Sequence, residues 1–145
     1  MVPLLIWGPN HIKQQGTTSA LANLVDLPRT FLTLAGEETP QEFQGTDLTP
    51  FVRGESNTTQ DAVLVELRAT ENTLNQHTLI TDRHKLVVYQ HTTEGELYDL
   101  HEDPDQYINL WITPSSQRLK TDLLHRLGTL HMEREPRGPK RVSFA

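Results

Sequence analysis

The stretch His77-Thr78-Leu79-Ile80-Thr81-Asp82-Arg83-His84-Lys85-Leu86-Val87-Val88-Tyr89-Gln90 decides the fold. Two runs rich in β-branched and aromatic residues, His77 to Thr81 and Lys85 to Gln90, flank a short polar link, the pattern of antiparallel strands joined by a tight turn. Ala62 to Leu67 upstream and Glu96 to Leu100 downstream have the same character. Four such runs in close succession predict an antiparallel meander. Asp82-Arg83 serves one connection and Thr92 to Gly95 another, the latter reading as the better turn because it contains Gly95.

Outward from the meander, Asp99-Leu100-His101-Glu102-Asp103-Pro104-Asp105 is a turn cluster in which Pro104 fixes φ. Beyond it Leu119, Leu123, Leu124, Leu127 and Leu130 recur at helical spacing, so Ser115 to Met132 is expected to be an amphipathic helix packed on one sheet face. Glu133 to Ala145 mixes Arg134, Arg137, Lys140 and Arg141 with Pro136, Gly138 and Pro139 and reads as a mobile basic tail.

Towards the N-terminus, Val2 to Trp7 is apolar and closed by Gly8-Pro9-Asn10, which reads as a buried strand ended by a turn. Asp26 is placed to cap a helix with Pro28 in its first turn, an apolar face of Phe31, Leu32, Leu34 and Ala35, and Gly36 as its terminator. Glu37 to Gln60 reads as an ordered loop with one helical turn, anchored by Leu48, Phe51 and Val52. The expected organisation is α/β (α+β): residues 1–60 carrying a strand, a helix and loops, 61–132 an antiparallel sheet and helix, and 133–145 the tail.

The chain of 145 residues carries a formal charge of −6 and no cysteine. That excludes disulfides, thiolate metal sites and cysteine nucleophiles, and the acidic balance argues against a nucleic-acid partner. No run is long enough to span a membrane and the N-terminus lacks a basic signal region, so the default expectation is a cytoplasmic chain.

Seven histidines invite a search for ligands or acid/base groups. No pair stands at i, i+4 on a helix, His125 and His131 fall on different helix faces, and His77, His84 and His91 are separated by turns. The histidines are therefore read as solvent-facing or hydrogen-bonded. Asp99, Glu102, Asp103 and Asp105 lack the glycine and terminal glutamate of an EF-hand and are read as a locally capped turn. Gly-x-Ser-x-Gly, Gly-x-x-x-x-Gly-Lys and Gly-x-Gly-x-x-Gly are all absent. The residues alone name no catalytic, cofactor-binding or metal-binding position.

Several strings taken together resemble the C-terminal portion of a sulfatase, in the alkaline phosphatase superfamily. They are Val2-Pro3-Leu4-Leu5-Ile6-Trp7-Gly8-Pro9, Leu24 to Gly36, Gln44 to Gly54, Thr81 to Tyr89, and Glu96 to Leu100 with Asp103-Pro104 and Asn109-Leu110. Arg29, Asp47, His84 and Gln106 depart from residues commoner in the family.

The resemblance implies the end of a sulfatase-like catalytic sheet followed by a roughly four-stranded antiparallel sheet packed by the C-terminal helix. It also implies a sulfuric ester hydrolase whose intact form uses a divalent cation, usually calcium, and a formylglycine made from Cys/Ser-x-Pro-x-Arg in the missing N-terminal part. No serine here begins that motif. The chain alone is therefore expected to be catalytically inactive, and its role structural and substrate-shaping, with Asn10 to Ser19 and Gln41 to Gly54 as the cleft-lining loops. Asp26 is expected to be a cap, Lys85 a solvated strand residue, and Tyr89 and Tyr98 packing residues. The Val2 to Trp7 strand is expected to pair with the missing part or with a second copy, or to be poorly ordered. The alternatives are a stand-alone protein-interaction module on the same scaffold and, last, a small metal hydrolase using the histidines.

Overall fold

A computed structural model describes residues 4–8, 12–13, 15–40, 42–68 and 75–134. The chain forms two compact units, one up to Asp61 and one from Ala62.

The second unit is built on β1 (Ala62–Leu67), β2 (Gln76–Thr81), β3 (His84–Tyr89) and β4 (Gly95–Asp99), hydrogen-bonded in that order and antiparallel throughout. The register aligns Leu64 with Leu79, Leu79 with Leu86 and Leu86 with Leu97, so one row of leucines crosses all four strands. Leu79, Leu86 and Leu97 have no exposed surface. Side chains alternate between faces, so Ala62 shares the leucine face, and a slip of one residue would expose the whole row. A 3₁₀ turn at Pro114–Ser116 leads into α3 (Gln117–Arg134), whose Leu123 and Leu127 complete this core. Leu119 and Leu130 pack at its margin.

Two expectations need correction here. Leu124, counted in the helix stripe, is exposed, because the face that meets the sheet is only wide enough for Leu119, Leu123, Leu127 and Leu130. Gly95 is no turn residue. It opens β4, and a Cβ there would stand 2.6 Å from the Val87 carbonyl oxygen and 2.6 Å from the Trp111 ring. Glycine thus lets the indole lie on the sheet, and the left-handed residue of the β3–β4 link is His91, at φ 64°.

In the first unit, α1 (Asp26–Ala35) ends at Gly36, where φ is 80°, and α2 (Thr49–Val52) starts with Pro50 in its first turn. Leu48, Phe51 and Val52 are buried as expected. Phe31, expected on the buried face of α1, is 60% exposed, and the buried positions are Asp26 and Thr30. That side of the helix is polar because it receives the 45–49 loop: the Leu48 N–H donates to Thr30 Oγ1 at 3.0 Å, and Thr30 donates to the Asp26 carbonyl at 2.7 Å.

Residues 4–8, the described part of the strand expected over Val2 to Trp7, join no ladder among the described residues, and a strand needs a neighbour to satisfy its backbone. Glu133 and Arg134, expected in the tail, close α3, while 135–145 lie outside the described residues. No helix among the described residues is long and apolar enough to cross a membrane.

Candidate functional site

Asp26 is the tie point of the first unit. Its Oδ1 accepts the Thr46 N–H at 2.7 Å, and its Oδ2 accepts the Asn23 N–H at 2.6 Å and Gln60 Nε2 at 2.8 Å. It is the first residue of α1, and it makes no cap bond within that helix. The carboxylate joins three segments instead of satisfying the first turn, which revises its reading as a cap. Gly45 makes this approach feasible, because a Cβ there would run into the Val25 carbonyl.

The two loops expected to line a cleft meet: the Lys13 N–H donates to the Val52 carbonyl at 2.9 Å. Asn10, His11, Gln14 and Gln41, also within those ranges, lie outside the described residues. Asp47 Oδ1 accepts the Thr49 N–H at 2.8 Å, and Arg29 Nη1 donates to the Gly45 carbonyl at 3.2 Å. Both departures from the family pattern thus hold the 45–49 loop.

In the second unit Lys85 is anchored, not merely solvated. Its Nζ donates to Gln106 Oε1 at 2.7 Å and lies 5.6 Å from the centre of the Tyr98 ring. Tyr89 donates its hydroxyl proton to Glu96 Oε1, and that bond pushes the phenol up to about 12. Two carboxylates of the acidic turn, Asp99 and Asp103, accept from protein donors. Asp99 Oδ2 accepts Arg83 Nε at 2.9 Å and Nη2 at 2.8 Å, while Oδ1 accepts the His101 and Glu102 N–H groups. Arg83 and these backbone bonds hold the Asp99 carboxyl down at about 2. Asp103 accepts the Tyr107 and Ile108 N–H groups.

Histidines that sequence spacing kept apart do converge. Glu66 on β1 is the cross-strand partner of His77 on β2, and His131 reaches them from α3. His77 Nδ1 lies 2.5 Å from His131 Nε2, with ring centroids 4.5 Å apart. Glu66 Oε1 lies 3.4 Å from His131 Nδ1 and 3.8 Å from His77 Nδ1. Burial, then the neighbouring His131, lowers the proton affinity of the His77 ring. The partners are 54 residues apart in sequence, so only knowledge of how α3 crosses the sheet would have paired them. Beside His77 opens a groove of about 540 Å³ lined by Arg68, Asn75, Val88, Tyr89 and Gln90.

The family described as N-sulphoglucosamine sulphohydrolase, C-terminal, matches residues 1–133. The N-acetylglucosamine-6-O-sulfatase of Bacteroides thetaiotaomicron is 30% identical over 133 residues, covering 87% of this chain and 24% of its own length. Arylsulfatase K of Gallus gallus is 32% identical over 120 residues, covering 77% of this chain and 22% of its own. A sulfatase candidate solved from Bacteroides thetaiotaomicron superposes with a TM-score of 0.78 at 26% identity, over 87% of this chain and 28% of that one. The chain thus spans about a quarter of the length of these two relatives. The order of elements, the leucine-rowed meander under its helix and these likenesses agree: the chain belongs to the N-sulphoglucosamine sulphohydrolase C-terminal family and corresponds to the C-terminal portion of a sulfatase.

Proposed function

We propose that this chain is the structural, cleft-shaping C-terminal part of a sulfatase-type sulfuric ester hydrolase and has no catalytic activity alone. The observation that carries the reading is the family match over 1–133 in a chain with neither cysteine nor Ser-x-Pro-x-Arg. A nucleophile and a cation that stabilise the developing charge supply most of the rate in such hydrolyses, and scaffold without them leaves little. The Lys13–Val52 bond supports a joint role for the two loops, since it fixes one against the other.

Leu5 and Trp7, 91% and 82% exposed, favour a surface that is covered in use. In the sulfatase reading the complementary N-terminal part covers it. In the second reading, a stand-alone interaction module, another protein does. An aryl sulfate assay of the chain with calcium, alone and mixed with a separately produced catalytic part of a relative, tests the proposal. Expected are no turnover from the chain alone, and binding to the catalytic part that Trp7→Ser weakens. Turnover by the chain alone, or no association with that part, would overturn it.

A further inference from the structure

We propose that Glu66, His77 and His131 form a binding site for a divalent first-row transition metal ion of the zinc class, with one nitrogen of each imidazole and one carboxylate oxygen as ligands.

The backbone places these groups, which makes their convergence more than a chance meeting of surface side chains. Glu66 follows Leu64 by two residues on β1, and His77 precedes Leu79 by two on β2, so both project from the leucine face, one row beyond the core. His131 follows the buried Leu127 by one helical turn and descends on the same spot. The packing of Leu64, Leu79, Leu123 and Leu127 therefore holds all three ligands in register.

The distances suit the ion. The ligand atoms all lie within 4.8 Å of one another. Bonds of about 2.0–2.1 Å in a tetrahedral site put ligand atoms roughly 3.4 Å apart, and Glu66 Oε1 stands 3.4 Å from His131 Nδ1 and 3.8 Å from His77 Nδ1. His77 Nδ1 meets the opposite nitrogen of His131, Nε2, at 2.5 Å. Seating one ion on Glu66 Oε1, His77 Nδ1 and His131 Nδ1 therefore needs the His131 ring to turn, a rotation of one side chain at the rim of the core. Arg68 engages the other carboxylate oxygen, Oε2, at 3.0 Å, leaving Oε1 turned towards the histidines. Burial already favours the neutral His77 ring that a ligand must be.

Two imidazoles and one carboxylate form a borderline donor set that suits zinc and disfavours calcium or magnesium. Three protein ligands at a partly exposed position leave the fourth place to water.

The test uses the whole chain, stripped with a chelator and titrated with zinc chloride in a calorimeter. Expected are one ion per chain with micromolar or tighter affinity, unchanged in His91→Ala and His125→Ala, and weakened about tenfold or more in His77→Ala and His131→Ala. Zinc should also move the ring resonances of His77 and His131 in the unaltered chain and leave those of His91 and His125 in place, a readout that does not depend on a variant folding. Absence of a stoichiometric site, binding indifferent to His77→Ala and His131→Ala, or unmoved His77 and His131 resonances would overturn the proposal. A negative result would leave the sulfatase reading untouched, because calorimetry of zinc and the aryl sulfate assay answer separately.

Discussion

At the scale of single residues, charge does two jobs that composition conceals. Asp26 is fully buried and serves three donors. Removing the carboxylate strands those donors away from water, so Asp26→Ala should destabilise the first unit by about 3 kcal/mol. Amide hydrogen exchange along α1, measured with increasing urea, would read the loss. Asp99 acts through pH. Its folded-state value lies below that of a free carboxyl, so its contribution is complete above the ordinary value and disappears as pH falls from about 4 to about 2. Arg83→Ala should therefore lower the urea midpoint at neutral pH, and the gap from the unaltered chain should narrow through that window. A gap independent of pH would show that the pair contributes packing and not charge. The families of turn and cap residues were visible in the sequence, but the partner of each carboxylate was not: Asp26 looked local because Thr46 and Gln60 reach it only once the chain has folded back.

At the scale of elements, periodicity carried most of the information. The expected strands match β1 at both ends and β2, β3 and β4 to within one residue, because alternation and β-branching report directly on a half-buried sheet. Periodicity failed where packing used backbone instead of side chain. Gly95 looked like turn chemistry, yet it serves to seat Trp111, whose Nε1 donates to the Thr93 carbonyl at 3.1 Å. Gly95→Ala should cost about 2 kcal/mol through this overpacking and redden the Trp111 emission, and equal stability with unchanged emission would refute the seat. Leu127→Ala, which empties a position 6% exposed under the leucine row, should cost about 3 kcal/mol. Leu124→Ala on the same helix should cost little, and calorimetric melting would separate the two.

At the scale of the whole molecule, the sheet and its helix form a unit with a leucine core of its own, and the first unit buries Leu48, Phe51 and Val52 beside Asp26, Thr30 and Thr49; both leave large apolar side chains exposed, Leu5 and Trp7 in the first and Tyr107 and Ile112 in the second. Order and spacing of strings revealed the sulfatase likeness, since scaffold sequence records how elements succeed one another. The convergence of Glu66, His77 and His131 stayed hidden because it depends on the crossing of α3 over β1 and β2. The central claim, scaffold without chemistry, is tested most directly by incubating the purified chain with an aryl sulfate and calcium and measuring phenol release. The account predicts a rate equal to that of a heat-killed control, and a saturable rate above it would contradict the account.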